Sequence, residues 1–383
     1  MSQVTETPSS PVGRERSREV KRAAVLSAAR SARTLSRVEL SEMTGLSPAT
    51  LTPLVRDLIA EGYLVERGVA ATRTGRPRTL LEFDPRVELV AAVSLAPDGV
   101  SCQIADGHGE LVASGHRNLD GDAVDIIADV VEDVAAEHLT HLRGVAVAVP
   151  GISYKGKVRL APYVGVVEKR SVGKQLGKRL GVPVVVDNDV NLMVVGEHTA
   201  GAARGSDDVM LFHFAEGVGA GLVLDGHVRR GSSGGAGEVG FFPTDGAMGD
   251  AGVGSFEARW SARAIADVLA AAGHEPAAQS PVATLVAAAR KDEELARYRD
   301  EVLAAWGRLV VSCICVVDPG LVLLSGSVAD LDEHSFATLE AIVTQGAPSP
   351  TKIRRAELGG EAVLHGAVSS ALSAAGLLAR TAG

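Results

Sequence analysis

"VPVVVDNDVNLMVVGEHTAG", residues 182–201, changes character twice within twenty residues. A β-branched apolar run ends in three polar residues, Asp187, Asn188 and Asp189, and a helix pattern follows. The run reads as a buried strand and the rest as a helix. In α/β sheets, ligands collect beyond the carboxyl ends of the strands. That rule puts Asn188 and Asp189 at a cleft.

Working outward, the same alternation recurs on both sides. "LVAAVSLA", "GVSCQIAD" and "LVASGHR" read as three antiparallel strands from Leu89 onward. A helix over 122–139 follows, with Val124, Ile127, Ala128 and Val131 on one side. "LRGVAVAVPG" is a buried strand ending in a Pro-Gly loop, and a helix over 171–180 leads into the stretch quoted above. Beyond it, "VMLFHFA", "GAGLVLDG" and "HVRRG" repeat the strand order, and "PGLVLLSGSVA" is another buried strand. Two related halves imply a duplicated, two-lobed α/β architecture of the actin-like kind, with a central cleft.

The first 86 residues are different. A helix is expected over 19–32, with Val25, Ala28, Ala29 and Ala32 on its buried face. Ser36 and Glu39 form a capping box for a short second helix that stops before Gly45. Ser47 and Pro48 then open a third helix, with Leu51, Leu54, Val55 and Leu58 inward. This spacing is a helix-turn-helix. Its free face carries Ala49, Thr50, Thr52, Pro53 and Arg56; the small side chains allow close approach, and the hydroxyls of Ser47, Thr50 and Thr52 with Arg56 can bond bases or phosphates. Pro53 within it removes one helix hydrogen bond, to the Ala49 carbonyl. Strands "YLVE" and "TLLEF" flank a basic wing with Arg67, Arg73, Arg76 and Arg78, suited to phosphates or a minor groove. The expected organisation is a tail over 1–16 and a winged helix-turn-helix over 17–86. An actin-like domain over 87–383 follows, with lobe one at about 87–195 plus a C-terminal helix over 362–380, and lobe two at about 196–361.

Composition supports this division. Residues 1–86 carry about +4 and the remainder about −13, against −9 for the whole chain. A small basic domain on a large acidic one suits a polyanion partner for the first. The apolar runs are too short for a membrane span, and the polar N-terminus lacks a secretory signal. A cytoplasmic protein is expected. Cys102, Cys313 and Cys315 lie in apolar runs without metal or redox spacing and read as buried thiols. With aromatics at 3%, the cores are expected to rest on Val, Leu, Ile and Ala.

Taken together, "VPVVVDNDVNLMVVGE", "GVGAGLVLDGHVRRGSSGGAGEVG" and "GSFEARW" resemble the ROK family of repressors, open reading frames and sugar kinases. The resemblance runs from the helix-turn-helix to the end of the chain. It implies a sugar-kinase-type fold with Asn188, Asp189, Glu238 and Glu257 as sugar-binding residues, Asp189 standing where the kinases keep their catalytic base. Carboxylates and a carboxamide suit hydroxyls that both donate and accept.

The departures from the family pattern matter as much. Where the kinases have a DxGxT phosphate loop, this chain reads "VSLAPDGVS", with Ser94, Ala96 and Pro97. The second loop reads "GVGAG", with Val218 in place of a hydroxyl. The family's zinc ligands correspond to Phe241, Met248, Asp250 and Ser255, which do not form a zinc set. Phe241 and Phe242 are expected to fill the space inside the loop. No kinase activity, zinc or other cofactor is therefore expected. The resemblance implies a repressor of sugar-metabolism genes, a homodimer on double-stranded operator DNA, with a sugar or sugar-derived effector. The alternatives are a regulator that uses its large domain for dimerisation alone, and an active sugar kinase.

Overall fold

The structure, a computed structural model, describes residues 11–32, 34–70, 78–244, 252–274 and 280–377. The chain divides into two compact units. One comprises residues 1–89 with 106–110 and 376–383, the other residues 90–105 with 111–375.

The first unit opens with α1 (Pro11–Ala32), which starts well before the expected Glu19 and takes in the end of the expected tail. Then come β1 (Thr34–Ser36), α2 (Arg37–Thr44), α3 (Pro48–Ala60), β2 (Leu64–Ala70) and β3 (Arg78–Phe83). The strands form an antiparallel sheet in the order β1-β3-β2. The capping box is present: the Ser36 N–H donates to Glu39 Oε2 at 2.7 Å, and the Glu39 N–H donates to Ser36 Oγ at 3.3 Å. Gly45, at φ 67°, ends α2 in a left-handed turn that glycine adopts without strain. Val25, Ala29, Leu40, Leu51, Val55, Leu58, Leu81 and Phe83 form one core. At its edge, Arg30 donates to both oxygens of Glu88 and lies over the Phe83 ring.

The second unit carries two sheets of matching plan. The first lobe contains β4 (Leu89–Ala96), β5 (Gly99–Ala105), β6 (Leu111–Arg117), α4 (Ala123–Ala135), β7 (Leu142–Val149), a β8 (Ile152–Tyr154) and β9 (Lys157–Leu160) ribbon, α5 (Val172–Leu180), β10 (Val184–Asn188) and α6 (Asp189–Thr199). Its sheet order is β10-β7-β4-β5-β6. The second lobe contains β11 (Val209–Phe214), β12 (Val218–Leu224), β13 (His227–Val228), α7 (Ser255–Trp260), α8 (Ala262–Ala271), α9 (Pro281–Ala288), α10 (Glu293–Val317), β14 (Leu321–Gly326), α11 (Glu333–Gly346) and β15 (Lys352–Arg355). Its order is β13-β12-β11-β14-β15. Each sheet joins antiparallel neighbours on one side to parallel neighbours on the other. The last helix, α12 (Ala362–Ala374), packs on α6, β7 and β10.

Several expectations need correction. Helix α4 stops at Ala135, because Ala136 takes φ 43° and a 3-10 segment continues to His141. Helix α12 ends at Ala374, short of 380. Cys102 and Cys313 are buried as expected, but Cys315 is exposed, since it turns away from the packed face of α10. The aromatics are few but concentrated. Phe212, Phe214, Phe256, Trp260 and Trp306 share the second lobe's core, with Phe214 stacked on Trp306 at 4.5 Å. Among the described residues, no helix is long and apolar enough to cross a membrane.

Helix α6 is enclosed on nearly every side: Val190 to Val194, Gly196 and Glu197 are all buried. It touches β7 and β10 of one sheet, β11 and β12 of the other, and α12. The crossing with α12 is made by glycines. A Cβ at Gly366 would overlap the Leu192 carbonyl, and one at Gly196 would overlap that of Ala362. Glu197, 0% exposed, anchors the end of α6. It accepts the N–H groups of Ala202 at 2.8 Å and Leu358 at 2.7 Å. Gly366→Ala is therefore expected to destabilise the second unit by about 1–3 kcal/mol or more, seen as a lower thermal midpoint. Gly165→Ala is the control, because its Cβ would meet nothing within 4 Å.

Candidate functional site

Two surfaces qualify. The first is the outer face of α3. Ser47 caps the helix, accepting the Thr50 N–H at 3.4 Å, and its hydroxyl lies 3.1 Å from that of Thr50. Thr52 Oγ1 donates to the Pro48 carbonyl at 2.8 Å. Ser47, Ala49, Thr52, Pro53 and Arg56 are exposed, while Leu51, Leu54, Val55 and Leu58 fix the opposite side. The Arg56 side chain is 77% exposed and holds Asp57 at 3.2 Å. Arg18 holds the same carboxylate at 2.6 Å, and these partners keep it below the ordinary carboxylate range. Asp57 therefore adds no free negative charge beside α3. Of the wing residues, Arg67 lies in β2 and pairs with Glu82 at 2.9 Å. Arg78 opens β3. Arg73, Arg76 and the Arg78 side chain lie outside the described residues.

The second surface is a cleft of about 330 Å³ in the second unit. It brings together all four residues expected there: Asn188, Asp189, Glu238 and Glu257. They are not equivalent. Asn188 ends β10 and caps α6. Its Oδ1 accepts the Asn191 N–H at 3.0 Å, and its Nδ2 donates to the Gly151 carbonyl at 3.0 Å. Glu257 accepts the Tyr163 hydroxyl at 2.7 Å and the Val218 N–H at 2.7 Å, one on each oxygen. Asp189 Oδ1 accepts the Val190 N–H at 2.9 Å. The Glu238 carboxylate has no hydrogen-bond or ion-pair partner among the described residues, though its backbone carbonyl accepts the Phe241 N–H at 3.2 Å.

Electrostatics follow from this arrangement. Burial pushes the Asp189 carboxyl up to about 6, and the nearby Asp187 adds to the effect. Burial, Asp189 and Glu257 together push Glu238 up to about 7. Behind the cleft, Asp187 is held by Arg230 at 2.7 Å, Asn191 at 3.1 Å and the Asn188 N–H at 2.9 Å. Tyr163, His213 and Glu216 also line the cleft and were not singled out from sequence. Their only signals were a polar residue inside "VMLFHFA" and a lone aromatic in "APYVGVV". Burial drives His213 down to about 4, leaving the ring neutral.

The ROK family model matches residues 91–374. The chain belongs to the ROK family. It is 27% identical over 219 residues to the xylose repressor of Bacillus subtilis (strain 168), covering 55% of this chain and 57% of that one. The chain thus spans little more than half the length of the curated relatives it first matches. It is 23% identical over 329 residues to the dual regulator NagC of Escherichia coli (strain K12), covering 81% and 80% of the two chains. A ROK transcriptional regulator described as a homologue of the E. coli MLC protein shares the fold, with TM-score 0.71 and 23% identity over 94% of this chain and 98% of that one. ROK kinases are structural neighbours too.

The residues at the family's zinc and phosphate positions do not fit those groups. Phe241 offers no donor, and Ser255 Oγ donates to the Phe242 carbonyl at 2.8 Å. Met248 and Asp250 lie outside the described residues. Phe241 and Phe242 do not fill the loop, being 46% and 37% exposed. Val239, Phe256 and Trp260 are buried instead, and Trp306 Nε1 donates to the Trp260 carbonyl at 2.9 Å. The place of the first phosphate loop is a two-residue hairpin turn, Pro97-Asp98, closed by pairing of Ala96 with Gly99. Proline lacks an N–H and Asp98 repels phosphate, so no cradle of donors forms. In the second loop, Gly219 and Gly221 face α6. A Cβ at Gly221 would lie 2.6 Å from the Val190 carbonyl. These glycines admit a helix.

Glu238 gives a pH test. Its folded value, about 7, exceeds the ordinary 4.5. The folded protein therefore holds this proton more tightly, and stability falls as pH rises from 4.5 through 7. Glu238→Gln should raise the stability of the ligand-free protein by about 1–2 kcal/mol at about pH 8, after discounting for partial exposure. The gain should fade toward about pH 5. Thermal midpoints of both proteins across this range check the sign.

Proposed function

We propose that this ROK-family chain is a non-catalytic, DNA-binding regulator of sugar-metabolism genes, acting as a repressor, with a cleft that senses a small hydroxylated ligand. The observation that carries the reading is the outer face of α3. A capped helix exposes small residues, hydroxyls and Arg56 while its opposite face is locked in a core. Small side chains let a helix approach base edges, and the hydroxyls and guanidinium reach bases or phosphates. Arg73, Arg76 and Arg78 extend this footprint in the proposal. The names of the relatives, xylose repressor and NagC, support the regulatory role and the link to sugars.

The ligand half rests on Glu238. A desolvated carboxylate without a partner, beside Asp189, is relieved by hydroxyl donors from a ligand. The cleft volume sits at the small end of ligand pockets and suits a monosaccharide. Asn188 and Glu257 frame the pocket while their internal bonds hold its walls. A dimer would present two winged helices to half-sites about one helical turn apart, or a multiple of that. Ligand would act by binding one of two states more tightly.

A second reading, dimerisation without any ligand, is favoured by the internal engagement of both Asn188 amide atoms and both Glu257 oxygens. Thermal-shift screening separates the two. A sugar that stabilises the wild type but not Asp189→Ala supports sensing. Silence across a broad panel supports the second reading. For the DNA half, Arg56→Ala should weaken operator binding at all sequences and reduce the salt slope by about 1. Unchanged binding in fluorescence anisotropy would remove α3 from the interface.

A further inference from the structure

The charge inventory of the cleft narrows the class of ligand. Asp189, Glu216, Glu238 and Glu257 line it, and among its described lining residues there is no lysine or arginine. The only imidazole among those lining residues, His213, is buried and stays neutral, with Ser325 Oγ 3.4 Å from its Nδ1. Arg230 is paired with Asp187 behind the cleft, and Arg263, which acts on Tyr163, is not among the lining residues. Among the described lining residues, then, no cation sits beside the carboxylates facing the cavity.

Nor are those carboxylates all occupied. Glu257 is bonded on both oxygens, by Tyr163 and Val218. Glu238 has neither a donor nor a cation among the described residues. A ligand bringing a positive charge gains from every one of these groups. A ligand bringing a phosphate is opposed by all of them in a partly enclosed, low-dielectric space.

We propose that the cleft takes an amine-bearing, unphosphorylated polyhydroxyl ligand, an amino sugar or aminocyclitol, whose ammonium pairs with Glu238. This deepens the sensing reading above and rests on it. The hydroxyls meet Asp189 and the cleft wall, and the ammonium supplies the donors that Glu238 lacks. The same arrangement discriminates against sugar phosphates, because a phosphate would add negative charge beside Glu216 and Glu238 with no cation to receive it.

The test uses the full chain and matched probes: glucose, 2-amino-2-deoxyglucose and glucose 6-phosphate, with the corresponding galactose and mannose sets. Isothermal titration calorimetry gives each affinity. The expected result is that the amino member of at least one set binds about tenfold or more tighter than its neutral counterpart, and that the phosphate member does not bind measurably. In Glu238→Gln, the ratio of amino to neutral affinity should collapse toward unity. A neutral or phosphorylated member that binds as tightly as the amino one overturns this inference and leaves sugar sensing intact. An amino preference that survives Glu238→Gln overturns the assignment to that residue. Failure of every probe to bind, neutral members included, overturns the sensing reading and this inference with it.

Discussion

The close crossing of α6 and α12 is the constraint on which the large unit depends. Two backbones meet where Gly196 and Gly366 leave no side chain between them. Helix α6 starts at Asp189, on the floor of the cleft, and ends at Glu197, which ties down the segment before α12. One helix therefore sets both the floor of the site and the contact between the two sheets. Sliding α6 by the width of a methyl group would carry Asn188 and Asp189 with it. Interiors packed this densely have few intermediate arrangements, so a shift at the site is felt across the sheets.

In the cleft, the positions that the ROK resemblance assigns to phosphate and metal carry other chemistry. At the place of the second phosphate loop, Gly219 and Gly221 leave room for α6 to pack closely. The loop that zinc would organise is held by Ser255 bonding the Phe242 carbonyl and by buried Phe256 and Trp260. Asp189, Glu238 and Glu257 are assembled in one cleft, although Asn188 and Glu257 are largely committed to holding the walls.

Much of this was legible in sequence where local chemistry and tertiary structure agree. The capping box at Ser36 and Glu39, the Ser47-Pro48 start of α3 and the strand-to-helix junction at Asp187 to Asp189 obey short-range rules, and tertiary packing does not override them. Other features were hidden because they depend on distant partners. Strand β1 has three residues and exists only by pairing with β3. Cys315 sits in an apolar run, yet the helical turn points it outward. Phe241 and Phe242 looked like natural fillers, but Phe256 and Trp260 occupy the interior. Tyr163 reaches Glu257 from 94 positions away, a separation with no local trace. Arg73 and Arg76, expected in a wing, lie outside the described residues.

The position of α12 in the chain has a consequence for biosynthesis. This helix covers β7, where the Ala371 carbonyl would lie 2.8 Å from a Cβ at Gly144. Yet it is translated only after every strand of both sheets. The first lobe emerges early, but the part of its sheet that α12 covers stays exposed while the second lobe is being translated. Such a surface is a target for chaperones and a risk for aggregation. The nascent chain must shelter its first sheet for the time it takes to build its second.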